Sequence, residues 1–201
     1  MAENDHSMST TRIESLADNV FSVAMTLLVV NLTIPEALRL SDMELHELLI
    51  RQSHKIYNYF MSFMLLAVLW VAHHRQSHFI RKTDHIHLWI NMLILMFVVL
   101  MPFSTTLIGD YGSTPTARAF FSGNMLVLAL LFQLNWIYAT RQHRLVRPDL
   151  EEHAIRMGTV RCTAFLSVAA ASLFCAYFIP TWSHNIYILL PVILSAKPFK
   201  S

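Results

Sequence analysis

Four stretches of this chain, Ile56–Ala72, Leu88–Ile108, Ala119–Ala139 and Cys162–Trp182, contain no Asp, Glu, Lys or Arg. Each is close to the roughly 17 to 25 apolar residues with which a helix crosses a hydrocarbon core of about 30 Å. An extended backbone cannot satisfy its own hydrogen bonds in lipid, and the period of two that marks a barrel strand is missing, so these stretches read as helices. A further apolar run follows Arg12, and a shorter one closes the chain. The pattern predicts an all-α polytopic membrane protein with six transmembrane helices, at about 13–34, 54–75, 84–109, 115–140, 157–180 and 184–195. Residues 1–201 form a single domain in this reading, with a polar tail over 1–11. Ser41-Asp42-Met43-Glu44 has the capping-box pattern, with Leu45, Leu48 and Leu49 behind it at helical spacing, so a short amphipathic surface helix is expected between the first two spans. Pro102 lies inside the third apolar run and predicts a kink there.

Composition agrees with this picture. Hydrophobic residues make up 55% of the chain, charged residues 14%, and the mean hydropathy is +0.45, whereas a soluble domain carries about a quarter of its residues as charge. A formal net charge of +2 gives no field for nucleic acid, so the expected partner is the lipid bilayer and no nucleic acid. With six spans, eleven Lys and Arg residues fall on the side of Arg12, Arg75 and Arg141, and only Arg39, Arg51, Lys55 and Arg118 fall on the other. The basic side faces the cytoplasm as a rule, which puts both termini there. Met1–Thr11 carries Glu3 and Asp5 but no Lys or Arg, so it lacks the basic start of a secretory signal and the first span should be retained. Cys162 and Cys175 are thirteen positions apart in one span, about 20 Å along a helix and too far to bond to each other.

The first span holds the most unusual residues. Glu14 and Asp18 lie one turn apart at its start and need partners; Arg12 is the nearest candidate, and a structural ion pair at a helix end is the plainer account. Asn19, Val23, Thr26, Val30 and Thr33 then step by four, three, four and three, and so fall on one stripe. Lipid gives no reason for a stripe of polar and small residues, so this face either packs on another helix or lines a water-accessible path. His73, His74 and His78 end the second span. His74 and His78 have the i, i+4 spacing of zinc ligands, but no third ligand is near, and pairing with Asp18 or Glu14 at the same membrane face competes; no metal site is assigned. Asn91 must find a partner inside the bundle. Trp70, Trp89, Trp136 and Trp182, near span ends, read as interfacial anchors. The sequence has no Walker lysine loop, nucleophile elbow, HExxH, TVGYG filter or regularly spaced arginine helix. Enzyme, pump and conventional potassium-channel readings therefore lose ground, no catalytic residue is assigned, and no cofactor is expected.

Together these residues resemble the transmembrane protein 175 potassium channels in their single-repeat bacterial form. That family opens its first helix with Arg-x-x-x-Phe-Ser-Asp, followed by an apolar run with Thr-Leu-Leu-Val and a proline. Here Arg12, Asp18, Thr26-Leu27-Leu28-Val29 and Pro35 keep the order and spacing, with Leu16-Ala17 in place of Phe-Ser. Trp70, His73 and His74 are similar to its Trp-x-x-His-His, and Leu88, Asn91, Pro102-Phe103 and Thr105 to its Leu-x-x-Asn and Pro-Phe-x-Thr. The likeness covers the motif-bearing first three spans, about 13–109, while the later ones, about 115–195, match only as hydrophobic segments.

The resemblance implies a potassium-preferring channel in a bacterial plasma (inner) membrane: a homotetramer whose first helices line a central pathway, with potassium as the permeant ion. It places a hydrophobic constriction at Val23 and a threonine layer at Thr26, with Leu27 and Val30 helping to close the pore and Asn19 and Thr33 at its mouths. It makes Arg12, Asp18, His73, His74 and Asn91 a structural polar network. A proton-coupled secondary transporter, with Asp18 and the histidine pair relaying protons, is the competing reading, and a membrane redox or metal protein is a distant third.

Overall fold

The computed structural model describes residues 10–30, 32, 41–178 and 184–191. Their regular structure is helical: α1 Thr10–Val30, α2 Asp42–Arg51, α3 Ser53–Phe79, α4 His85–Val99, α5 Met101–Tyr111, α6 Pro115–Thr140 and α7 Glu152–Phe178, with short 3-10 turns at Arg141–His143 and Asn185–Ile188. The starts follow local chemistry. Ser41 caps α2 in a full capping box, its own N–H donating to the Glu44 carboxylate at 2.8 Å. Asp84 caps α4 by accepting from the His87 N–H at 2.9 Å, and Thr114 caps α6 just ahead of Pro115. The third apolar run is interrupted at Leu100, because Pro102 has no N–H to offer the Val98 carbonyl.

Five stretches among the described residues are long and apolar enough to cross a membrane: α1, α3, α4 with α5, α6 with the turn after it, and α7. The chain is a multi-pass membrane protein, and the expectation of six spans is corrected. The described part of the segment read as the sixth span, 184–191, is a 3-10 turn and a helical stub that folds back onto the bundle, with Tyr187 and Leu190 fully buried. Twelve residues reach only about 18 Å as a helix, short of the hydrocarbon core. Residues 192–195 lie outside the described residues. The two-sided count of Lys and Arg rested on six spans, so the placement of both termini in the cytoplasm falls with it.

α6 is the central helix, packing along α7 and against α4 and α5, while α1 lies on α3, α4 and α5. The core joins Phe21 and Leu28 of α1, Leu65 and Leu69 of α3, Ile94 of α4 and Met125 and Phe132 of α6. At the end where α1 begins, Ile80 and Val146 bridge the two connections, and the Arg81 N–H donates to the Leu145 carbonyl at 2.8 Å. Asp84 sits there too, accepting from the Tyr138 hydroxyl and facing Arg144 at 3.5 Å. Burial pushes its carboxyl up, but the His87 N–H, Tyr138 and Arg144 outweigh that and hold it below the usual range. Trp136, expected as an anchor, is buried instead: its ring lies against Gly158, where an added Cβ would be 2.3 Å away, and its N–H donates to the Ile155 carbonyl at 3.1 Å.

Candidate functional site

α1 has two faces. Ile13, Ala17, Phe21, Ala24 and Leu28 recur every three or four residues and are buried against the rest of the chain. The opposite face carries Arg12, Asn19, Ser22, Val23, Thr26 and Val30, all exposed. Val23 is 55% and Val30 61% exposed, more than Leu27 at 43%. Three of these exposed side chains, Asn19, Ser22 and Thr26, are polar in the midst of an apolar helix. The Thr26 hydroxyl donates to the Val23 carbonyl at 2.8 Å, which settles its proton against the helix and leaves its oxygen lone pairs directed outward. Thr33 lies outside the described residues.

Behind this face, at the level of the first turns of α1, a chain of polar groups runs through the bundle. His73 Nε2 donates to Asn91 Oδ1 at 2.9 Å, with the His73 ring set between those of Phe21 and Phe132. The Asn91 amide nitrogen shares its two protons among the His87 carbonyl at 2.8 Å, His87 Nε2 at 3.1 Å and Asn135 Oδ1 at 3.2 Å. A His87 ring that accepts at Nε2 holds its proton at Nδ1, where Thr83 Oγ1 is 2.8 Å away. Asn135 in turn donates to Gln76 Oε1 at 2.9 Å, and Gln76 donates to the Phe132 carbonyl at 3.2 Å. Five buried amide and imidazole side chains from α3, α4 and α6 are thus linked to one another, as low-dielectric burial requires.

The structure gathers part of the expected network. His73 and Asn91 bond directly. Asp18 accepts from the Trp70 indole at 2.8 Å, and His74 stacks on the same indole with centroids 5.9 Å apart. Arg12 stands on the exposed face of α1, away from that contact. Glu14 lines a small cavity with Ser77, His87 and Asn91. Of the other members, Asn135 is a polar residue inside the charge-free run 119–139, which is a signal legible in the sequence, whereas Gln76 and His87 lie among other polar residues near segment ends and have none. Among the described residues no cluster of three or more His, Cys, Asp or Glu is gathered as a metal site would need.

At the far end, His54, Tyr57, Asn58, Asp110, Arg118 and His184 line a wide polar cavity of about 370 Å³. Lys55 and Asp110 pair there at 2.6 Å, and the Tyr57 hydroxyl donates to Asn185 at 2.8 Å.

The family model of the endosomal/lysosomal potassium channel TMEM175 matches residues 12–102. A potassium channel of Chamaesiphon minutus is 32% identical over 158 residues, covering 77% of this chain and 78% of that protein. One from Streptomyces collinus is 30% identical over 154 residues, covering 75% and 74%. The crystal structure of a lysosomal potassium-selective channel TMEM175 homolog from Chamaesiphon minutus superposes with a TM-score of 0.81 at 25% identity, covering 92% of this chain and 96% of that one.

Proposed function

The chain belongs to the TMEM175 family, and on that premise we propose that it is a potassium-preferring cation channel of a bacterial plasma membrane, a homotetramer with α1 of each subunit against a central pathway. The observation that carries this reading is the exposed face of α1, where Asn19, Ser22 and Thr26 stand opposite the packed Ala17, Phe21 and Ala24. Lipid is a poor environment for such a face, and closed rotational symmetry brings it onto an axis where water and ions can meet it. Val23, with Leu27 and Val30 beyond it, then forms an apolar neck that dewets readily, and the outward oxygens of Thr26 replace part of the hydration of an ion passing it. No carbonyl filter and no cofactor enters this mechanism. Asn19 marks one mouth; Thr33, expected at the other, lies outside the described residues.

Asp18, His73, His74 and Asn91 serve to hold α1 in place on α3 and α4, while Arg12, expected in the same network, stands on the exposed face of α1 apart from them. The transporter reading needs Asp18 and a histidine to exchange protons, yet each has its own partner: Asp18 takes the Trp70 N–H, and His73 is engaged by Asn91 behind Phe21. Those committed hydrogen bonds favour a static scaffold over a relay. Liposomes loaded with potassium and given no pH gradient test the reading. Passive potassium flux that persists whatever the pH on either side is expected of the channel; flux that requires counter-movement of protons would sink it. Mass measurement in mild detergent checks the tetramer, with a monomer or dimer as the contrary result.

A further inference from the structure

At the end of the bundle where α1 begins, two connections are built into one surface. The α3–α4 connection over 80–84 and the α6–α7 connection over 141–150 meet at the bridge between Ile80 and Val146, where the Arg81 and Lys82 N–H groups both donate to the Leu145 carbonyl, at 2.8 and 3.2 Å. Ile80, Ala139, Leu145 and Val146 form a small buried core beneath them. Gln142 and His143 both take the left-handed backbone conformation, with φ of 55° and 52°, which residues other than glycine adopt only where the surroundings impose it. The two connections are therefore one shaped unit.

That unit is basic. It carries five cations, Arg81, Lys82, Arg141, Arg144 and Arg147, against two acids, Asp84 and Asp149. Asp84 is already engaged by Arg144 and by the Tyr138 hydroxyl. Arg81, Lys82 and Arg141 are exposed and Arg147 is half-buried, and none of these four side chains has an ion-pair partner among the described residues. Glu151 and Glu152 follow at the start of α7, where the helix dipole favours them. Both connections are short and each joins two spans, so their side chains stand where the helices leave the hydrocarbon. The counter-charge at that level is the phosphate of lipid headgroups, and long basic side chains reach it with their stems along apolar surface. We propose that the paired connections form a platform for the anionic phospholipids of the adjoining leaflet, with Arg81 and Lys82 from one connection and Arg141 and Arg147 from the other holding the same headgroups. The platform rests on the spans and not on what α1 conducts, so it stands or falls separately from the channel reading.

The test is native mass spectrometry of the full-length protein in mild detergent, titrated with phosphatidylglycerol, with phosphatidylcholine, and with glycerophosphate as the headgroup alone. Phosphatidylglycerol should be retained in preference to phosphatidylcholine, and the preference should fall as ammonium acetate is raised, because exposed charges are screened. The paired variant Arg81→Gln with Lys82→Gln, and separately Arg141→Gln with Arg147→Gln, should each lower the preference by about fivefold. Arg81→Lys with Arg141→Lys keeps the charge and should keep most of the preference, which separates loss of charge from loss of fold. Arg51→Gln, in α2 at the opposite end, should change nothing. Equal retention of the two lipids by the unmodified protein would overturn the proposal, as would a preference indifferent to salt, an equal loss in the Lys and Gln variants, or an equal loss in Arg51→Gln. A loss confined to one of the two Gln pairs would overturn the joint platform. Competition by glycerophosphate as effective as that by phosphatidylglycerol would make the surface one for soluble anions and overturn the lipid assignment.

Discussion

The indole N–H of Trp70 donates to the carboxylate of Asp18 over 2.8 Å, and this one bond joins the helix with the exposed polar stripe to the helix behind it. It sits one turn from His73, whose ring packs on Phe21, so a polar and an apolar contact fix α1 on α3 at neighbouring levels. A hydrogen bond to a charged group contributes about 1.5 to 3 kcal/mol when shielded; Asp18 is exposed in the single chain, so the lower end or less applies.

Trp70→Phe and Asp18→Asn should therefore each lower thermal stability in detergent by about 1 kcal/mol, and the double variant by less than the sum. Arg12→Gln should leave that coupling unchanged, because Arg12 stands away from the pair. Strict additivity of Trp70→Phe and Asp18→Asn in a double-mutant cycle would show that the bond does not hold the helices.

Gly158 is a close-approach glycine. A Cβ at that position would be 2.3 Å from two carbons of the Trp136 ring, and that ring is buried with its N–H committed to Ile155, so it has little room to yield. Gly158→Ala should destabilise the protein by about 1 to 3 kcal/mol despite the better helix propensity of alanine. Thermal unfolding monitored by size-exclusion fluorescence reads this directly; a midpoint equal to or above that of the unmodified protein contradicts the packing.

Docking of the segment 184–191 should depend on pH. His184 lies against the rings of Tyr57, Phe121 and Tyr187, with neither ring nitrogen hydrogen-bonded among the described residues. Burial, with the charge of Arg118 behind it, pushes its pKa from 6.5 down to about 4. Between those values the undocked segment binds more protons than the docked one. Docking is thus fully stable above pH 6.5 and is lost progressively as pH falls toward 4. Hydrogen exchange of 184–191, corrected for intrinsic rates, should accelerate by up to about tenfold per pH unit through that window. His184→Phe should flatten the profile; an unchanged profile in that variant would contradict the assignment of the effect to His184.

What could be read from the sequence was what local spacing decides. The capping box at Ser41 and Glu44 predicts α2, Pro102 predicts the interruption near Leu100, and the steps from Asn19 to Val30 place those residues on one face of α1, which the structure leaves exposed. Long-range packing decided the rest. The stretch after Ser183 is apolar enough to suggest a span, but Tyr187 is buried against Phe121 of α6, a contact that no local pattern reveals. Asn91 was legible as a residue in need of partners, whereas Asn135 and Gln76 acquire their roles only when α3, α4 and α6 are brought together. Trp136 shows the same limit: its position near a segment end matches an anchor, and only the absence of a side chain at Gly158 shows it to be core.

Thr26 separates selectivity from folding. Thr26→Val keeps the volume and removes the oxygen, and the bond that is lost runs only to the Val23 carbonyl within the same helix. Stability should change by no more than about 0.5 kcal/mol, as at other surface positions, while the potassium-to-sodium permeability ratio should fall. Retention of the ratio in a well-folded Thr26→Val channel would remove this hydroxyl from the selectivity mechanism.

The most direct test of the central claim, that the exposed stripe of α1 lines the conduction path, is a paired flux measurement on Val23→Ser and Val29→Ser. Both valines are exposed, at 55% and 52%, but they lie about 120° apart around the helix at 100° per residue. If Val23 forms the neck, a hydroxyl there wets it, so Val23→Ser should raise potassium flux and weaken the preference over sodium, while Val29→Ser leaves both near the unmodified values. Equal effects at the two positions, or an effect at Val29 alone, would mean that a different face of α1 lines the path.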